Sequence, residues 1–176
     1  MLPTLQDFGI ACPVYIRKIN SRAHWNPEGT HNNYDRARQV AERLFQSSAE
    51  IYSLWRIGTN QDFYSVVAAL SAFRSPRNQD IDFIWLTVTE AEALGLKMEP
   101  IKKGECVHAE PLHFNARIDR GAALALCQKL VDAGREAYRC KRGMTTKILE
   151  TQVSLGCKAL VEGIDRCQCE AWKSTP

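Results

Sequence analysis

Two short stretches constrain this chain more than any other. Residues 50–57 (EIYSLWRI) and 81–88 (IDFIWLTV) are apolar at odd and even positions alike, the pattern of strands inside a sheet rather than at its margin. Three further β-rich runs, at 12–19 (CPVYIRKI), 112–118 (LHFNARI) and 136–140 (EAYRC), supply neighbours for them.

Between these runs the apolar period changes from two to three or four. Ala37, Val40, Ala41, Leu44 and Phe45 form one stripe, so a helix is expected over about 34–47 with Asn32 or Asn33 as its cap. A second helix opens at Thr59, with Asp62 three residues on as a variant capping box, and carries Phe63, Val66, Val67, Leu70 and Phe73 toward the turn at Pro76. A third opens at Asp119, buries Ala123, Leu126, Cys127, Leu130 and Val131, and closes at Gly134. A shorter one, TEAEALG, is expected to use Thr89 and Glu92 as its box and Gly95 as its stop. Residues 145–155 fit both periods, and the alternation of Leu149, Thr151, Val153 and Leu155 favours a strand.

Strands alternating with helices suggest β-α-β units, one over 50–88 and one over 112–140. Both first strands end in Arg-Ile, a faint sign of duplication. The expected fold is therefore α+β: one domain over 1–176, a mixed β-sheet with helices packed mainly on one face, two β-α-β units and a C-terminal β-hairpin.

The hairpin follows from pairing Glu162 with Arg166. Charges then line one face, and Cys157, Ala159, Val161, Cys167, Cys169 and Ala171 the other. Cys167 and Cys169 stand about 6.6 Å apart at Cα, near the upper limit for a disulfide. Metal-ligand spacings such as Cys-x₂₋₄-Cys are missing, so small buried residues are the expected reading and no metal or cofactor is expected. The alternative ligand set is Cys106, Cys157, Cys167 and Cys169. Seven cysteines is an odd number and fits a reducing compartment.

Candidate ligand contacts come from two segments. The connection 20–35 holds His24, Trp25, His31, Asn33 and Tyr34 and runs into a helix N-terminus. Residues 105–113 add His108 and Glu110, residue types suited to proton transfer. Basic residues gather at Arg17, Lys18 and Arg22, at Arg74 and Arg77, and at Arg135, Arg139, Lys141, Arg142 and Lys147. The group Arg135, Arg139, Lys141 and Arg142 is the candidate nucleic-acid contact, although helix C-termini and strand edges also favour such charges.

The net charge of +3 is too small to announce a nucleic-acid binder by itself. No apolar run approaches the ~20 residues of a membrane span, and the first residues have no basic start before an apolar core, so no membrane partner and a cytoplasmic location are expected. Glycine-rich phosphate loops, dinucleotide fingerprints and Gly-x-Ser-x-Gly elbows are all missing.

The sequence favours a small binding or accessory module acting on another macromolecule, protein or nucleic acid. The alternative is a small-ligand enzyme with a His/Glu/Cys site formed by loop 20–35 and segment 105–113. A structural or assembly protein, joined as a homo-oligomer through an exposed strand edge, is the third reading.

Overall fold

The computed structural model describes residues 2–72, 80–101 and 109–154. In chain order the elements are β1 (Val14–Ile19), α1 (Asn33–Leu44), β2 (Ile51–Ile57), α2 (Asn60–Ala72), β3 (Ile81–Thr87), α3 (Val88–Ala93), β4 (Met98–Pro100), β5 (His113–Arg117), α4 (Arg120–Asp132), β6 (Tyr138–Cys140) and α5 (Arg142–Ser154). Short 3-10 turns stand at Leu5–Phe8, Arg22–His24 and Glu110–Leu112.

The helix ends follow local chemistry. Asn32 caps α1 by accepting from the Asp35 amide, and Asp119 caps α4 by accepting from the Ala122 amide. Before α2, the Thr59 hydroxyl accepts from the Asp62 amide while the Asp62 carboxylate accepts from the Gly58 and Thr59 amides. The α3 box lies two residues earlier than the sequence suggested, between Thr87 and Glu90 rather than Thr89 and Glu92. Gly95 and Gly134 take the left-handed conformation just past α3 and α4.

The six strands form one sheet in the order β4-β5-β2-β1-β3-β6, and every neighbouring pair is antiparallel. The sheet is therefore antiparallel, not mixed. Both expected crossovers exist, because β2 runs parallel to β3 and β5 parallel to β6. Neither pair is adjacent: β1 separates the first, and β2, β1 and β3 separate the second.

Helices cover both faces, which corrects the expectation of one covered face. On face one, α1 and α4 bury Ala37, Val40, Leu44, Leu126 and Leu130 against Tyr15, Tyr52, Leu54, Ile84 and Leu86. On face two, α2 and α5 bury Phe63, Val66, Val67 and Ile148 against Val14, Ile16, Ile57, Ile81 and Phe83. Topology explains the split. Strands β2 and β5 run in opposite directions, yet both crossovers advance the same way along the sheet. Two crossovers of one hand that leave oppositely directed strands must pass over opposite faces, and a single hand is the strong general preference.

Residues 145–155 also depart from expectation. Residues 142–154 form helix α5, and Thr145, Ile148, Leu149 and Gln152 are its buried positions, at helical spacing. Strand β4 was not foreseen. The C-terminal hairpin, with Cys157, Cys167 and Cys169, lies outside the described residues, as do Cys106 and His108.

Candidate functional site

Loop 20–35 is anchored by its tryptophan. Trp25 is 0% exposed, its indole N–H donates to the Arg135 carbonyl at 2.8 Å, and the Arg36 guanidinium stands 5.8 Å from the ring centre. Arg36 Nε also donates to the Trp25 carbonyl at 3.2 Å. Asn33 Nδ2 donates to Asp132 at 3.0 Å, which ties the start of α1 to the end of α4. His31 is exposed and Tyr34 is 58% exposed, while His24 is half-buried.

Glu110 stands elsewhere. Its neighbours Ala109 and Leu112 pack into the face-two core, whereas Trp25 belongs to the face-one core. Along β1 the loop covers the length of the strand: Arg22 bonds Asp82, the partner of Ile19 at its end, whereas Trp25 reaches Arg135, whose partner Glu90 follows Thr87, the residue level with Val14 at its start. His113 is level with Trp55 and hence with Ile16, so the two segments are separated by face rather than by end of the strand. Trp25 and the neighbours of Glu110 therefore pack on opposite faces of the sheet.

The basic group divides into members that form ion pairs, Arg135 and Arg139, and the exposed Lys141 and Arg142. Arg135 forms an ion pair with Glu90, and its guanidinium lies 3.5 Å from the Trp85 ring centre. Arg139 holds Asp82 with two bonds of 2.7 and 2.8 Å and also reaches Asp80 at 3.3 Å. Burial by itself would raise the Asp82 carboxyl, but the Arg139 bonds and the Arg22 amide outweigh it and hold the group below its usual range. Lys141 and Arg142 are exposed, and the Arg142 amide donates to Asp80 at 2.7 Å.

Arg17 is a charged side chain enclosed by aromatic rings. It projects from β1 on face one, in the series Tyr15, Arg17, Ile19, and its guanidinium lies 4.9 Å from the Tyr52 ring centre and 5.1 Å from that of Phe45. Its Nη2 donates to the Leu44 carbonyl at the end of α1 at 2.9 Å, and Nη1 to the Ser53 carbonyl of β2 at 3.3 Å. Burial pulls its pKa below the ordinary value, which the nearby Tyr52 and Cys127 oppose. Burial pushes the Cys127 thiol up to about 12, with Arg17 pulling the other way, so this thiol is inert at neutral pH.

Phe45 and Tyr52, the rings that hold Arg17, also line the outer surface. A groove of about 510 Å³ runs between α1 and α4, lined by Arg38, Glu42, Phe45, Arg120, Ala123 and Leu124 among others. A cleft of about 340 Å³ continues from it toward the turn after α1, with Ser47, Ser48, Glu50, Tyr52 and Ile118. Phe45, Gln46 and Arg120 border both, so the two are one continuous depression. Glu50, at its end, takes a positive φ of 52°, a conformation seldom adopted by residues other than glycine, asparagine and aspartate. Its carbonyl accepts from the Ile118 amide at 2.9 Å and fixes the turn beside the start of α4.

Nothing in the sequence marked this groove. Ala41, Phe45 and Ala123 read there as ordinary stripe residues, and the alignment of α1 beside α4 appears only once the crossover is placed. Among the described residues no group of three or more His, Cys, Asp or Glu side chains is arranged to hold a metal ion. No described helix is long and apolar enough to cross a membrane. Compared with family models, curated proteins and solved structures, the chain shows no match.

Proposed function

We propose that this protein is a protein-binding module whose recognition surface is the depression between α1 and α4. The supporting observation is its form: two joined hollows of about 510 and 340 Å³ with an apolar floor of Ala41, Phe45, Ala123 and Leu124 and a polar rim of Arg38, Glu42, Gln46 and Arg120. An elongated channel between two antiparallel helices, apolar below and polar at its borders, suits a peptide segment laid along it.

Other observations lean the same way. Of the residues named for an enzyme site, Trp25 packs on one face of the sheet and the neighbours of Glu110 on the other. Arg135 pairs with Glu90 away from solvent, and Arg139, although partly exposed, is held by Asp80 and Asp82. Among the described residues the outer strands of the sheet, β4 and β6, are three residues long and β4 ends in Pro100, features that discourage edge-to-edge assembly.

Panning a random-peptide library against the folded protein tests the proposal. Selected peptides should lose binding to Leu124→Glu, which places a charge on the groove floor. Selection that yields only peptides indifferent to this change, or none, rejects the groove as the recognition surface.

A further inference from the structure

Accepting that reading of the groove, we propose that its partner segment is acidic, carrying an Asp or Glu that pairs with Arg120 beside an apolar residue seated on Leu124 and Phe45. The charges of the larger hollow decide the sign. It is bordered by two cations, Arg38 and Arg120, and one anion, Glu42. Arg38 is already committed, to Glu42 at 3.1 Å and to Asp35 at 3.1 Å. Arg120 is exposed and takes part in none of the ion pairs among the described residues.

The position of Arg120 strengthens the argument. It borders both hollows, so any chain lying along the depression passes it. Asp119 spends its carboxylate on the Ala122 amide, and the first turn of α4 holds no other acid to answer the guanidinium. Over both hollows two cations, Arg38 and Arg120, face two anions, Glu42 and Glu50; Glu50 borders only the smaller one, so the excess of one cation belongs to the larger hollow, where Leu124 lies. A carboxylate with an adjacent apolar side chain matches the larger hollow, whereas a basic segment seated there meets Arg120, a like charge.

The peptides obtained by panning provide the test, using the full chain. Peptides that depend on Leu124 should be enriched in Asp or Glu next to an apolar residue. Arg120→Gln should weaken such a peptide about tenfold, the size expected for loss of a charge-assisted contact. Added salt should weaken the wild-type complex more than the variant. Glu42→Gln should tighten binding, a gain that misfolding cannot imitate. Groove-dependent peptides without acidic enrichment, and unaffected by Arg120→Gln, would overturn the acidic partner while leaving the groove in place. Peptides insensitive to Leu124→Glu would remove both.

Discussion

Arg17 and Tyr52 stand face to face across two neighbouring strands, with the guanidinium 4.9 Å from the phenol ring centre. None of the ion pairs among the described residues includes Arg17; its bonds go to the carbonyls of Leu44 and Ser53. It therefore fastens the last turn of α1 to β2, and Tyr52 secures the next turn by accepting from the Ser47 amide at 3.1 Å.

Replacing Arg17 tests that role. Arg17→Met keeps much of the volume but strands two carbonyls and removes two ring contacts, so stability should fall by about 2–3 kcal/mol. The urea midpoint should drop with an unchanged slope. A midpoint equal to the wild type would show that the guanidinium holds nothing.

Asp82 predicts behaviour in acid. Its folded pKa is depressed, so its stabilising effect is complete above the unfolded value of about 3.9 and is lost as pH falls through the folded value. Wild-type stability should decline below about pH 4 more steeply than that of Asp82→Asn. Parallel pH profiles for the two proteins would contradict the pairing with Arg139.

His113 acts in a higher window. It stacks on Trp55 at 4.8 Å, and burial lowers its pKa from 6.5, so the unfolded chain binds the extra proton first. Stability should fall as pH drops from 6.5 toward the folded value, and His113→Phe should flatten that slope. Chemical denaturation of both proteins across this range gives the comparison.

Cysteine labelling checks burial directly. Cys127 and Cys140 are fully enclosed and Cys12 is exposed, although partial burial and Asp62 raise its pKa. Alkylation of native protein at mildly alkaline pH, mapped by mass spectrometry, should modify Cys12 while sparing Cys127 and Cys140. Early labelling of Cys127 would contradict its place on the buried face of α4.

Glu50 offers a gain in stability. A side chain at φ 52° is strained, so Glu50→Gly should raise stability by about 0.5–1 kcal/mol after the added freedom of the unfolded chain is counted. Loss of stability would mean that the Glu50 side chain has a holding role of its own.

Much of this architecture was legible. The caps at Asn32, Thr59 and Asp119 and the stripes of α1, α2 and α4 stand in the sequence, because local hydrogen bonding and apolar spacing are written there residue by residue. The second covering layer is also legible: a strand such as 81–88, apolar on both sides, requires something to bury each side. Helix α5 was harder to read, since two of its four buried positions, Thr145 and Gln152, are polar and blunt the helical signal. Parity along β1 could have placed Arg17 inward with Tyr15 and Ile19 rather than in a surface patch. The groove depends on α1 and α4 meeting across a crossover, information that no local window contains.

The separation of β5 from β6 by three intervening strands is compatible with a stepwise order of construction. The central trio β2, β1 and β3 comes wholly from residues 14–87, so it can pair before the flanking strands have been synthesised. Residues 98–140 supply both margins of the sheet among the described residues, and the connection through α4 spans the three central strands to place β6. The later part of the chain closes around the earlier one as a clasp, and the α1–α4 depression is the seam along which that clasp shuts.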